Sequence, residues 1–556
     1  KTRSQLILKD KWPTYIKGYS MNKKILLGAA ISLASLQVTA QPFAPTDARG
    51  MAMGGTGVAS SKTVHSVQYN PSLLSGGHES DDFGLLLPQL GGYVADEDEF
   101  IDSADAFADA DYAGDFTVAF DDIQGSFTGV TDAFAAVNAA IDAEDSGALT
   151  IANADLAADV AELSLGTTNL QGATASLNGG LASLSGKPLR GGVGGGLGIA
   201  IPSKKFSVAI SANNSTSFSG HLNVSQSDMS TLTNYTNALA AYTSELSAFS
   251  TASSDATTTL DALKVEEAKG IGADPDELVR LANQLDADQT ALASAKDNLE
   301  GFDYGGAGTP ADDGDQVIFT NGELDPAANE ITLTSEINIV AIAISEVALS
   351  ISREFTIADR QVAIGITPKL QRIDAYNYKV QVEEETETSD ISELGVEDNG
   401  FNLDIGASTK FGFEERGTFG LVIKNLISKD VQTTDGNALT TDDLVVSIAP
   451  QVRAGVAYSA WGWVNLAADL DLTENEPVAF EDPTQFASLG AEVDLLNFLQ
   501  LRAGYRTNLA SSGQNVVSGG LGISPFSLFH MDLGVYANAS DPEKEAGAVF
   551  ELGIDW

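Results

Sequence analysis

Gln451-Val452-Arg453-Ala454-Gly455-Val456-Ala457-Tyr458 decides how this chain folds, because its side chains change character at every second position. Val452, Ala454, Val456 and Tyr458 share one face, and Gln451, Arg453 and Gly455 share the other. The alternation returns in Val464, Leu466, Ala468, Leu470 and Leu472 against Asn465, Asp469 and Asp471. It returns again in Leu489, Ala491, Val493 and Leu495 against Gly490, Glu492 and Asp494, and in Leu501, Ala503 and Tyr505 against Arg502, Gly504 and Arg506. Period two predicts strands with one apolar and one polar side. A soluble sandwich produces the same pattern, so alternation alone does not put the apolar side in lipid.

Three further features favour a membrane barrel. Short links such as Ser459-Ala460-Trp461-Gly462 and Ser524-Pro525-Phe526 alternate with long acidic ones, at 383–398 and 429–443. That is the asymmetry of periplasmic turns against external loops. The apolar faces carry small and medium residues over whole strand lengths, as a lipid-facing band requires. Finally, Ala548, Phe550, Leu552, Ile554 and Trp556 share one face of an alternating segment that ends in an aromatic residue. Eleven strands are expected between 337 and 556, and three upstream at 83–94, 193–201 and 206–224, about 14 in all, the even number that single-chain bacterial barrels have.

Composition narrows the function classes. The chain has 556 residues, 77 acidic against 30 basic, a net charge of -47 and no cysteine. Nucleic-acid binding is excluded, because each phosphate contact calls for a Lys or Arg. Thiol chemistry and thiolate zinc sites are absent with cysteine, and His65, His78, His221 and His530 have no metal-ligand spacing. No metal, cofactor or catalytic residue is expected: His530 beside Asp532 lies in an alternating strand, and no Gly-x-Ser-x-Gly elbow occurs. Acidic runs such as Asp96-Glu97-Asp98-Glu99 read as solvated loop charge rather than a calcium loop, which needs spaced Asp/Asn, Gly and Glu.

Residues 1–20 are basic and patternless and read as sequence upstream of the true start. Met21-Asn22-Lys23-Lys24, the apolar run 25–36, and small residues at Val38 and Ala40 predict a signal peptide over 21–40, cleaved after Ala40. The rival, an N-terminal anchor, has too short an apolar run. Cleavage removes seven basic residues and one acidic residue, leaving the exported chain at a net charge of -53. The longest later apolar stretch, 337–351, has about 15 residues and contains Glu346, too short for a membrane helix.

Two insertions read as helical. In the second, 226–302, Leu232, Tyr235, Leu239, Tyr242, Leu246 and Phe249 recur at spacings of three and four. Asp274-Pro275-Asp276-Glu277 then supplies an N-cap, a first-turn proline and acidic groups for a partner helix carrying Leu278, Leu281, Leu285, Leu292, Ala295 and Leu299. This predicts a coiled-coil-like antiparallel hairpin. The earlier insertion, 96–190, carries Phe127, Val130, Phe134, Val137 and Ile141 at the same spacing. Such stripes are packing seams first, with a surface for a protein partner as the alternative. A polar loop is expected over 303–335.

Before the first strand lies Arg49-Gly50-Met51-Ala52-Met53-Gly54-Gly55-Thr56-Gly57-Val58-Ala59, then Tyr69-Asn70-Pro71-Ser72. The glycines permit tight or closely approached backbone, and Asn-Pro favours a turn. A phosphate cradle is excluded, because the stretch has no strand–loop–helix context. These stretches, with Ile364-Gly365-Ile366-Thr367-Pro368-Lys369-Leu370, resemble the TraF-type group, labelled conjugal transfer protein, within the FadL-like outer-membrane barrels. The resemblance covers the first 35 exported residues and 337–556. It implies an all-β transmembrane barrel in the bacterial outer membrane, with a hatch at 41–80 (Arg49, Gly50, Gly54, Gly55, Gly57, Asn70, Pro71) plugging the lumen. Ser72 stands where the transporters' Asn-Pro turn continues with Ala. The thioredoxin-like TraF of conjugative plasmids has a different fold, and the Cys-x-x-Cys chemistry of many members of that wider redox group is impossible without cysteine.

The expected function is passive passage of small hydrophobic solutes. The alternative is a conjugation or envelope-assembly accessory that meets a protein partner at the helical hairpin. Arg453, Asp469, Glu492, Asp494, Arg502, Arg506 and Asp532 are the expected lumen residues, and apolar 337–344 a greasy wall segment. Phe550, Leu552, Ile554 and Trp556 form the expected signal for the barrel-assembly machinery, with membrane lipid as the other partner.

Overall fold

A computed structural model describes residues 47–76, 83–143, 145–305, 317–324, 334–381, 395–433, 445–475, 480, 482–525 and 528–555. The expected signal peptide, the segment ahead of it and Trp556 lie outside these residues. Fourteen antiparallel strands close into a barrel: β1 (Gly84–Ala95), β2 (Leu189–Ile201), β3 (Ser207–Asn223), β6 (Glu336–Ile357), β7 (Arg360–Gln381), β8 (Val396–Phe411), β9 (Gly417–Lys424), β12 (Gln451–Ala460), β13 (Val464–Asp471), β14 (Phe486–Leu495), β15 (Leu499–Asn508), β16 (Asn515–Ile523), β17 (Phe529–Asn538) and β18 (Glu545–Asp555). Neighbours in sequence are neighbours in the wall, and β1 pairs with β18 to close it, Leu90 opposite Phe550. Closure leaves no unpaired edge for lipid to meet. Pro88, which cannot donate to a ladder, falls where β1 slips register against both neighbours.

The alternation read from the sequence is the division between outside and inside. On β14 to β18, Leu489, Leu501, Leu521, Leu533 and Phe550 are 41–60% exposed, whereas Glu492, Arg502, Asp532 and Glu551 are at most 6% exposed. An apolar exterior around a polar interior is the organisation of a membrane-spanning barrel. Phe550, Leu552 and Ile554 fall on the outward side of β18. Exposed Trp461, Trp463, Phe413 and Phe498 mark the short-turn end, where aromatic girdles sit in such barrels.

Every long connection leaves from the opposite end, and both helical insertions belong to that end. Helices Tyr112–Asp142 (α5), Ser146–Leu184 (α6), Gln226–Glu267 (α7) and Pro275–Glu300 (α8) pack as one bundle; α4 (Phe100–Asp109) and hatch helices α1 (Ala48–Ala52), α2 (Ser66–Tyr69) and α3 (Leu73–Gly76) precede or flank them. Asp145 caps α6 by accepting from Gly147 and Ala148, and Asp274 caps α8 by accepting from Asp276. The two expected seams meet each other: the Phe127 ring stacks on Tyr242 at 5.8 Å and Phe134 meets Phe249 at 4.9 Å. At 1.5 Å per residue the 42-residue α7 is about 63 Å long.

Four expectations need correction. The first insertion ends before Leu189, because glycine-rich β2 has too few side chains to show alternation. The expected loop at 429–443 begins as a strand: β10 (Lys429–Gln432) pairs with β11 (Val445–Ile448), and the expected polar loop at 303–335 holds a second hairpin, β4 (Phe319–Thr320) with β5 (Glu323–Leu324). The apolar segment 337–344 is not an open greasy wall: Val431, Val446 and Ile448 of the β10–β11 hairpin cover Ile342, Ile373 and Ala375.

Candidate functional site: the hatch inside the barrel

Residues 47–76 run around the inside of the barrel and are almost wholly buried. Asp47 opens α1 by accepting from the Gly50 amide at 2.6 Å. Gly54 and Gly55 follow at φ of +72° and +89°, the left-handed backbone that favours glycine, and turn the chain along the wall. Tyr69 lies across Gly50 and Gly57, where any side chain would collide with its ring or hydroxyl. Its hydroxyl donates to Asp47, closing the hatch on itself. Asn70 fastens the Asn-Pro turn, donating to the Val58 carbonyl at 2.9 Å and accepting from the Ser72 amide at 3.1 Å and hydroxyl at 2.7 Å. Ser72 therefore does hydrogen-bonding that alanine cannot.

The wall is shaped to receive this backbone. A β-carbon on Gly365, Gly406, Gly420, Gly490, Gly504, Gly520 or Gly534 would stand only 2.0–2.5 Å from Pro71, Asn70, Val58, Met53, Gly54, Ala52 or Ala48, respectively. These seven glycines lie on seven strands, at the height where the hatch passes. On the β1–β3 side the hatch meets the wall through apolar contacts instead, Val64, Val67 and Leu74 against Leu86, Ala200, Ala209 and Ala348. The glycine ring was not anticipated from the sequence; the signal available was glycine recurring on the polar face in mid-strand.

Charge holds the hatch in place. Arg49 makes a two-pronged bond to Glu492, Nε to Oε2 at 2.8 Å and Nη2 to Oε1 at 3.0 Å. Arg502 donates to the same Glu492 at 2.7 Å and to Asp532 at 2.5 Å. Asp469 accepts from the amides of Gly57 and Val58 at 2.8 and 3.0 Å, and Arg453, paired with Asp471, reaches the Gly55 carbonyl. Such pairs are costly to desolvate, so their value lies in fixing one arrangement of hatch and wall. Five of the seven expected lumen residues thus act together. Asp494 stands apart at the short-turn end, accepting from Gln500 at 3.4 Å. Arg506 stands apart at the other end, 3.2 Å from Glu545 and stacked over Phe486 at 4.5 Å.

Several functional side chains were not foreseen. Glu551 accepts from the Ala48 amide at 3.3 Å and lies 2.9 Å from His65 and 3.4 Å from His530. Lys369 stands 3.1 Å from both Glu346 and Asp404, forming a second buried cluster on β6 to β8. Glu551 had a visible signal, being the acid between Phe550 and Leu552.

Above the hatch, toward the long-loop end, lies a cavity of about 100 Å³. Met51 of the hatch, Tyr93, Val193, Phe486, Tyr536 and Val549 supply most of its apolar lining. Glu97, Arg190, Arg506 and Glu545 supply charge. Burial raises the Glu97 carboxyl above its ordinary value, against the opposing pull of Arg190.

Fold and site together define a hatch-plugged, membrane-spanning β-barrel with a helical bundle at its long-loop end. The chain belongs to the family described as "F plasmid transfer operon, TraF, protein", whose model matches residues 67–471. No curated protein matches it. Among solved structures it is similar to the Ralstonia pickettii toluene transporter TbuX (8% identity, 94% of this chain and 99% of that one, TM-score 0.41). It is likewise similar to the P. putida toluene transporter TodX (10%, 93% and 99%, 0.39) and to a Pseudomonas aeruginosa FadL homologue (9%, 93% and 99%, 0.39).

Proposed function

We propose that this protein resides in the bacterial outer membrane and passes small hydrophobic solutes, with the hatch as its gate. The observation that carries this is the largely apolar cavity floored by Met51 of the hatch and lying toward the long-loop end. A solute arriving from that side meets aromatic and aliphatic side chains before it meets the ion-paired floor. Passage then requires only that the hatch shift, and its contacts with the wall are hydrogen bonds, ion pairs and backbone-to-glycine approaches, all separable without breaking a covalent bond. No residue set here is assigned to catalysis. Export by the 21–40 segment with cleavage after Ala40, and assembly guided by Phe550, Leu552, Ile554 and Trp556, belong to the same proposal.

The decisive experiment reconstitutes the protein in liposomes and follows entry of a monoaromatic hydrocarbon and of a small sugar. Faster hydrocarbon entry than in empty liposomes, with sugar entry unchanged, is the expected result; equal rates for both solutes with and without protein overturn the reading. Fractionation tests location: the protein should co-purify with the outer membrane and migrate differently before and after boiling, and its mature N-terminus should be Gln41. A second reading, an accessory to conjugation or envelope assembly, is favoured by the length of the helical bundle. Its apolar seams are used within the bundle, so a partner would read the outer acidic surface. A deletion strain with normal hydrocarbon uptake and reduced mating frequency would favour this reading over passage.

A further inference from the structure

On seven strands inward glycines make room for the hatch backbone, but on β2 they do not. Gly192, Gly194, Gly196 and Gly198 share the inward face of β2, since Val193, Leu197 and Ile199 between them are 39–53% exposed on the other. The atoms nearest to where their β-carbons would stand belong to β1 and β3, and none to the hatch. These glycines therefore leave an open trough rather than a seat. Its flanks are polar: Ser211, Asn213, Ser215 and Ser217 run down the inward face of β3, and Gln89, Gly91 and Tyr93 down that of β1. The upper end of the trough is the cavity above the hatch, which Gly91, Gly192, Gly194, Ser215 and Ser217 help to line. The lower end is closed by the apolar contacts of Val64, Val67 and Leu74 with Leu86, Ala200 and Ala209.

Gln89 stands in mid-trough. It is 0% exposed, and neither its amide nitrogen nor its amide oxygen has a hydrogen-bond partner among the described residues. The register slip at Pro88 puts it there: Leu86 and Gln89 both face inward although they are three positions apart, as a bulge allows. Its nitrogen lies 3.3 Å from the β-carbon position of Gly196, over the trough floor. Along β1 it is one same-face step, about 7 Å, below Gly91 of the cavity. An amide buried without a partner gains nothing from a hydrocarbon, whereas a hydroxyl can both donate to it and accept from it. The cavity's charges are spent on one another, Arg190 on Glu97 and Arg506 on Glu545, and so do not call for a charged solute. Its rings, Tyr93, Phe486 and Tyr536, suit an aromatic one. A volume of about 100 Å³ limits the solute to about a single ring, since a cavity of about 150 Å³ holds benzene. We propose that the solutes passed are neutral single-ring aromatic alcohols of the phenol class, that they descend along the β1–β3 trough, and that Gln89 exchanges hydrogen bonds with their hydroxyl. The inference rests on the passage reading and names its solute. Leaving by this route parts the apolar seal around Val64 and keeps the Arg49–Glu492 clamp closed.

The test compares phenol with toluene, its near equal in size without the hydroxyl, on the full exported chain folded in detergent. Calorimetric titration should show phenol bound about tenfold or more tightly than toluene. Gln89→Met keeps the length of the side chain and removes both hydrogen-bonding groups; it should erase that preference and leave toluene binding unchanged. Gly198→Leu, whose β-carbon meets its nearest neighbour at 3.4 Å, should fill the trough below the cavity. Phenol should still bind to that variant, and the protein-dependent part of phenol uptake by a deletion strain carrying it should be lost. Each variant is first checked for heat-modifiable gel mobility, and a Gln89→Met that fails to fold is replaced by Gln89→Leu. Phenol bound no more tightly than toluene, or a preference that survives loss of the Gln89 amide, would overturn the hydroxyl selection. Uptake through Gly198→Leu as fast as through the wild type would overturn the route. Toluene entry into liposomes without any preference for phenol sinks this inference and spares the passage reading; entry of neither solute sinks the passage reading itself.

Discussion

The barrel and the helical bundle solve the problem of a core in opposite ways. In the bundle, Leu163, Leu170, Leu177, Phe249 and their neighbours are buried against one another, and the water-facing side is acidic, with no Lys or Arg between Asp96 and Gly186. In the barrel, leucines and phenylalanines face outward while Arg49, Arg453, Arg502, Glu492, Asp532 and Glu551 are buried. One region is held by apolar burial, whose energy scales with area and tolerates adjustment. The other is held by charges and glycines, whose energy depends on position to within a few tenths of an ångström. The bundle should therefore tolerate substitutions that the barrel interior does not.

That contrast can be broken or sharpened experimentally. Arg502→Ala strands Glu492 and Asp532 without their shared guanidinium and should cost about 3–5 kcal/mol, read as a lower urea midpoint for the detergent-folded barrel. Leu170→Ala in the bundle should cost about 2–5 kcal/mol but confine its effect to helical melting, leaving gel mobility of the barrel unchanged. A barrel destabilised equally by both would show that the two cores are one cooperative unit. Gly504→Ala places a methyl group 2.1 Å from the Gly54 nitrogen; the expected cost is about 1–3 kcal/mol, with a measurable rise in sugar leakage through liposomes. Asp145→Ala removes two capping bonds from α6 and should cost about 1 kcal/mol of helical stability, visible by circular dichroism alone.

Much of the barrel was legible because lipid outside and charge inside impose a period of two on each strand. Val452 to Tyr458 and Leu501 to Arg506 announce both face and register, and eleven strands after 337 plus three before it match the closed wall. What could not be read is contact between distant segments. Nothing local to His65 indicates that it will meet Glu551, and nothing local to Gly504 indicates that Gly54 will occupy the space a side chain would take. Glycine is the hardest case: in β2 it hid where the strand begins, and on seven other strands its purpose appears only once the hatch is seated. Arg506 and Asp494 share the polar face with Arg502 and Glu492, yet height along the barrel axis separates them, and periodicity carries no such coordinate.

The pairing of Arg49 with Glu492 and of Ala48 with Glu551 also orders events in time. These bonds join positions 443 and 503 residues apart, so the first described segment of the chain has no place to settle until the last strands exist. The segment that docks last precedes every strand of the wall in the chain. Contacts of such long sequence separation are slow to form. Seating of the hatch and the meeting of β1 with β18 must fall together at the end of folding, and a barrel closing early would shut its own plug outside.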